Sequence, residues 1–227
     1  IPSWTDKITD KNATQADWTL QPVKTANAVS FDGSNDFLKI TDLNVTAQHI
    51  FIVAKRRPSS GYRIPLGGNN ENNKVELHAA GYIQFPGDST HFTGGNGGSL
   101  RVSAGPNSLT NNVTFIATLT VGADGSDNGV FLDLYLGTLI SAASHQFDGE
   151  IHEVLFYDRI LQDAERDAVE QHLAQKWGIT LYPEQQAAAQ AAYDAAKPPD
   201  EPENGLVAYY KFEPVSVEPN KVWDYSG

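Results

Sequence analysis

Apolar and polar positions alternate at a period of two along most of the chain. From Gln48 to Arg56, Ile50, Ile52 and Ala54 fall on one face and Phe51 and Val53 on the other. That is the pattern of a strong strand. Val113, Phe115, Ala117, Leu119 and Val121 alternate with Thr114, Thr118 and Thr120, which predicts a half-buried strand. Val130, Leu132, Leu134 and Leu136 alternate with Phe131, Asp133 and Tyr135. Shorter runs at Ala28–Phe31 and Phe37–Ile40 flank the turn Asp32-Gly-Ser-Asn-Asp36. Val75–His78 and Tyr82–Phe85 read as a hairpin across Ala79-Ala-Gly81, and Leu100–Ser103 as a short strand. Between them, Pro86 to Ser99 is rich in Gly and Asn and reads as a surface loop.

The stretch Gln146–Tyr157 predicts a central strand. Regular alternation places Ile151, Glu153 and Leu155 on one face and Val154 and Phe156 on the other. The period then changes to that of a helix. Val169, Leu173 and Trp177 stand at i, i+4 and i+8 with Ala164, Ala168 and Ala174 beside them, and Gly178 sits where a left-handed cap would close the helix. Trp177 ends this stripe and is expected to be largely buried. Many short strands joined by polar turns predict an all-β, antiparallel two-sheet sandwich with a short C-terminal helix.

Two motifs carry a family resemblance. Phe147-Asp-Gly-Glu-Ile-His-Glu-Val-Leu-Phe-Tyr157, followed by Leu173-Ala-Gln-Lys-Trp-Gly-Ile179, resembles the C-terminal signature of laminin-G-like, concanavalin-A-like lectin/glucanase jelly-roll domains. The likeness is to the bacterial and phage branch with a C-terminal helix. Asn27-Ala-Val-Ser-Phe-Asp-Gly-Ser-Asn-Asp-Phe-Leu38 resembles the early strand pair of the same family. The resemblance implies a jelly-roll over residues 1–180 that lacks its N-terminal strand. Residues 181–203 read as an Ala-rich helix and a Pro-rich acidic linker. Residues 204–227, with Gly205-Leu-Val-Ala-Tyr-Tyr-Lys-Phe212, resemble the opening strand of a second such domain. A fold-back reading, with 205–212 filling the place of the missing strand, is the alternative. Because the Pro-rich linker is short and stiff, the expectation is that this strand pairs outside residues 1–180.

Composition narrows the function classes. With a formal net charge of -12 over 227 residues, the chain lacks the Lys and Arg clusters that a phosphate backbone needs, so no nucleic-acid partner is expected. The one basic run, Lys55-Arg56-Arg57, reads as a solvated strand end. No apolar stretch is long enough for a membrane span, so no membrane insertion is expected. The absence of Cys excludes a disulfide framework and a thiolate metal site.

Candidate chemistry is sparse. Glu150 and Glu153 invite comparison with paired glucanase carboxylates, but in a regular strand their parity puts them on opposite faces, so no enzyme activity is expected. A calcium ion is conceivable at oxygen clusters that include Asp32, Asp36 and Asp124, the last in the loop Asp124-Gly-Ser-Asp-Asn-Gly129. The six histidines show no metal-ligand spacing on one element. Ligand contact is assigned to Phe131, Asp133 and Tyr135 on one strand and to Tyr82 and Gln84 on another, since aromatics beside carboxylates and amides suit sugar rings. The competing reading makes these residues part of a second core layer. With the resemblance, this implies a non-catalytic recognition or adhesion module that binds carbohydrate or protein. Its partners would be such surfaces or neighbouring domains and chains of an assembly, and its place extracellular, on a cell surface or on a virion. An architectural domain of a phage capsid or tail fibre and a sandwich-fold glycoside hydrolase are the alternatives.

Overall fold

The structure is a computed structural model that describes residues 1–8, 11–57, 63–68, 74–77, 99–104, 113–120, 130–138, 146–181 and 206–211. Two antiparallel sheets face each other. The first has the order β1 (Ser3–Trp4), β2 (Ala13–Thr14), β5 (Leu38–Ile40), β13 (Leu134–Leu136), β8 (Arg63–Gly68), β9 (Lys74–Leu77). The second has the order β10 (Ser99–Ala104), β11 (Thr114–Thr120), β7 (His49–Arg56), β14 (Asp148–Tyr157), β4 (Val29–Asp32), β3 (Val23–Lys24). A small ribbon pairs β6 (Val45–Thr46) with β12 (Val130–Phe131). Strand β9 pairs with β8, and the second arm of the expected hairpin, Tyr82–Phe85, lies outside the described residues.

One core fills the space between the sheets. Leu38, Ile40, Leu66, Leu134 and Leu136 from the first sheet meet Phe31, Ile50, Ile52, Ala54, Phe115, Ile151, Val154 and Phe156 from the second. A second apolar layer lies on the far side of the second sheet. There Phe51, Val53, Ile116, Leu155 and Tyr157 pack against Val169, Leu173 and Ala174 of the helix α1 (Asp163–Trp177). Both faces of β7 and β14 are therefore covered, which is why neither strand alternates with polar residues over most of its length.

The helix ends where the sequence places its end. Gly178 adopts φ 64° and ψ 35°, with Ile179 N–H donating to Ala174 O at 2.8 Å, a Schellman closure. At the other end Glu165 accepts from Gln162 N–H at 2.8 Å and from both Arg159 guanidinium nitrogens. Two buried carboxylates anchor the helix to the sheet. Thr118 donates to Glu170 at 2.6 Å, and Glu153 accepts from Lys176 at 2.7 Å and from the Trp177 indole at 2.6 Å. Trp177 itself is partly rather than largely buried.

Three further expectations are corrected. First, Arg56 is not solvated but 2 % exposed, because it continues the inward-facing row of Ile50, Ile52 and Ala54, while Lys55 and Arg57 face out. Second, β14 is not regular. Its register against β7 shifts between Ile151 and Glu153, so that Ile151 pairs Ala54 while Glu153 pairs Val53. His152 is the extra residue of a β-bulge, and Ile151 joins Val154 and Phe156 on the inner face instead of Leu155 on the outer. Third, β15 (Leu206–Lys211) does not pair outside residues 1–180. It lies antiparallel to β14, with Val154 opposite Tyr210 and Phe156 opposite Ala208.

Candidate functional site

The bulge decides what β14 presents on its outer face. With one extra residue at His152, Glu150, His152 and Glu153 all point toward the helix side of the sheet. The parity that set Glu150 and Glu153 on opposite faces therefore fails. Their environments differ instead. Glu153 is 1 % exposed, and both of its oxygens are taken by Lys176 and Trp177. Glu150 is partly exposed.

Around Glu150 the outer face carries partly exposed charged side chains. Arg57 reaches across β14 from the end of β7. It donates to Phe31 O at 2.8 Å and to Asp148 Oδ1 at 3.2 Å, and it also bonds Ser30 Oγ. Its other nitrogen stands 3.6 Å from Glu150 Oε1, and Lys55 Nζ stands 3.6 Å from Glu150 Oε2. The site thus holds two cations and two carboxylates in alternation.

His152 forms the floor and is 8 % exposed. Its Nδ1 lies 3.0 Å from Asn27 O. A carbonyl oxygen only accepts, so Nδ1 carries the proton and Nε2 keeps its lone pair. Burial holds His152 below the usual histidine range, and the neutral ring is the form present near pH 7. Nε2 has no hydrogen-bond partner, and Glu150 Oε2 is 4.0 Å away. Trp177 forms one wall, its ring centroid 4.9 Å from that of His152.

The residues assigned from sequence lie elsewhere. Tyr135 is 8 % exposed, on the outer face of β13, with the Phe37 ring at 6.3 Å and Lys39 Nζ at 5.4 Å from its ring. Asp133 is in the bend before β13. There it pairs with Lys39 at 2.9 Å and accepts from Asp42 N–H at 3.0 Å. The Lys39 hydrogen bond holds its carboxyl below the usual range. Tyr135 and Asp133 are therefore drawn together around Lys39. Phe131 contributes the backbone pairing of β12 to Val45. Tyr82, Gln84 and Asp124 lie outside the described residues.

Asp32 and Asp36 are spent on their own turn. Asp32 accepts from Ser34 N–H at 2.8 Å and Asn35 N–H at 3.3 Å, and Asp36 accepts from Asp32 N–H at 3.0 Å. Burial, with the Asp32 charge added, pushes the Asp36 carboxyl up. Among the described residues no group of three or more His, Cys, Asp or Glu side chains is placed to hold a metal ion.

The sequence carries one signal of the Glu150–His152–Trp177 grouping. Inward apolar residues at 151, 154 and 156 break the two-residue step once, at the pair His152-Glu153. No protein-family model, no curated protein and no solved structure matches the chain.

Proposed function

We propose that this chain is a non-catalytic recognition or adhesion module, a laminin-G-like jelly-roll of a larger secreted, cell-surface or virion-surface protein, which binds carbohydrate or protein. The observation that carries this reading is the partly exposed charged cluster of Lys55, Arg57, Asp148 and Glu150 on the outer face of the second sheet. Its side chains alternate in charge and are tied to one another and to the backbone, so they meet a ligand without first being ordered. Glycoside hydrolysis is disfavoured because a two-carboxylate mechanism needs a second free carboxylate beside Glu150, whereas Glu153 is sealed beneath the helix end and Asp148 is hydrogen-bonded to Arg57. The test is a glycan array and a cell-surface binding assay with the purified chain, run beside turnover assays on β-glucans. Saturable binding without turnover is the expected result. Turnover that Glu150→Gln removes would overturn the reading.

The architectural alternative draws on a different observation. A strand from far downstream, Leu206–Lys211, lies along β14, and strand addition is a usual way to join modules of an assembly. Ligand-free association of the chain into ordered oligomers, with no binding on the array, would favour it.

A further inference from the structure

We infer that His152 and Glu150 form a proton-operated switch within the charged cluster: a proton taken up at His152 Nε2 draws the Glu150 carboxylate onto the imidazole and releases Lys55 from it. The switch belongs to the unliganded chain and is independent of the recognition reading.

Hydrogen-bond accounting at the buried ring leads to the proton. Nδ1–H is used on Asn27 O at 3.0 Å, so Nε2 has only a lone pair to offer. Nε2 is buried and has no partner, and Glu150 Oε2 stands 4.0 Å from it. Two acceptors therefore face each other with no hydrogen between them. Nε2 is sealed from solvent, so the one donor that can be added there is a proton. Once protonated, Nε2–H faces a carboxylate, and the contact becomes a charge-assisted hydrogen bond when Glu150 closes in by about 1 Å. Glu150 can make that move. Its side chain is partly exposed, and Lys55 and Arg57 each stand 3.6 Å from it, beyond direct hydrogen-bond distance. The same exposure gives the proton its route, from solvent to the carboxylate and from there to the sealed nitrogen.

The groups packed around the ring decide how the proton is held. Burial works against it and keeps His152 below the ordinary 6.5. From β14, Glu150 and Glu153 favour the charged ring, and from β7, Lys55 opposes it. From the helix, Lys176 pairs with Glu153 at 2.7 Å, so these two charges largely offset each other. The Trp177 ring centroid lies 4.9 Å from that of His152, within reach of a cation–π attraction to an imidazolium. What the move releases follows from the ion pairs. Arg57 keeps Phe31 O, Ser30 Oγ and Asp148 when Glu150 leaves it. Lys55 has Glu150 as its ion-pair partner among the described residues. With the ring neutral, Lys55 and Arg57 are offset by Asp148 and Glu150. The proton adds one positive charge, and Lys55 is then presented without its carboxylate. Acid thus turns a balanced surface into a cationic one, suited to an acidic ligand.

The experiment follows the full chain by NMR from about pH 7.5 down to about pH 4.5, across the range in which histidine titrates. The imidazole ¹⁵N, Glu150 carboxyl ¹³C and Lys55 side-chain signals are read in the wild type and in the Glu150→Gln, Lys55→Gln and Asp133→Asn variants. Near neutral pH, His152 should show the proton on Nδ1 alone. As pH falls below 6.5 a proton should appear at Nε2, and the Glu150 and Lys55 signals should respond at the same midpoint. Glu150→Gln should weaken proton binding at His152 by about threefold or more, Lys55→Gln should strengthen it, and Asp133→Asn should leave it unchanged. Thermal melts at each pH identify a variant that has lost its fold, and for such a variant the wild-type signals decide. Three results would each overturn the switch: the same midpoint in the wild type and in folded Glu150→Gln, Glu150 and Lys55 signals that do not follow His152, or a His152 that takes up its proton only as the chain unfolds. The recognition reading is decided separately, by binding on the array.

Discussion

His49 is 2 % exposed and joins β7 to β11 and to the connection before α1. Its Nδ1 accepts from Leu161 N–H at 2.8 Å, and its Nε2 faces Thr120 Oγ1 at 2.8 Å. The acceptor role of Nδ1 requires a neutral ring with the proton on Nε2. Burial lowers its pKa to about 4 from an ordinary 6.5. The unfolded chain therefore binds the proton first as pH falls. Stability from this group is complete above about pH 6.5 and is lost as pH drops toward about 4, below which it falls no further. The span corresponds to about 3 kcal/mol. Urea unfolding at pH 7.5 and pH 4 should show a decline in the wild type that His49→Phe reduces by about that amount; equal declines in both would refute it. Trp177 gives a second expectation. Trp177→Phe keeps much of the packing but removes the donor to Glu153, and should cost about 1.5 kcal/mol. Trp177→Ala should cost about 3 kcal/mol, the low end for an aromatic deletion, because the indole is only partly buried. Equal losses in both would mean that the hydrogen bond, not the packing, dominates.

At the scale of elements, β14 determines both the core and the candidate site. Gly149 lets it lie close to β7. A Cβ there would overlap Lys55 O and stand 2.6 Å from the Phe147 ring. Neither the backbone of a central strand nor a ring in the core gives way easily, so Gly149→Ala should cost about 2 kcal/mol. Gly178 is the contrasting case, since a Cβ there meets nothing within 4 Å and the strain lies in φ 64° alone. Gly178→Ala should cost about 1 kcal/mol. Equilibrium denaturation of the two variants tests the ranking, and the reverse order would sink it. The helix and its cap were legible in the sequence because Val169, Leu173, Trp177 and Gly178 are local signals. The strands around Ile50–Ala54 and Phe115–Leu119 were legible for the same reason. The bulge is not, because a strict two-residue period hides the extra residue at His152, and with it the shared face of Glu150 and Glu153. The burial of Arg56 is hidden by its residue type, although its parity continues the inward row of Ile50, Ile52 and Ala54. The grouping of His152 with Trp177 depends on where the helix comes to rest, which no local pattern encodes.

At the scale of the whole molecule, the outer edge of β14 is divided between two strands. β4 pairs with Asp148–Ile151, and β15 takes Glu153–Tyr157. The stiffness of the Pro-rich segment predicts that β15 stays away from residues 1–180. Reach, however, depends on the whole connection from 182 to 205, of which that segment is a small part. Its apolar residues on both faces, Leu206, Val207, Ala208, Tyr209 and Tyr210, supply the reason for it to add to a sheet. Without β15, alternate backbone groups of Glu153–Tyr157 would lose their partners, and β14 would present an unpaired apolar edge. Truncation after Glu203 should therefore lower stability by at least about 2 kcal/mol, or roughly 4–8 °C in Tm for a chain of this size. Amides of β14 that point toward β15 should exchange faster with solvent, while those that point toward β7 should keep their protection. The uncovered edge should also promote association that rises with concentration. A peptide spanning Gly205–Phe212 should restore slow exchange when added to the truncated chain. Unchanged exchange at Glu153–Tyr157 after truncation would mean that β15 does not complete this sheet in solution.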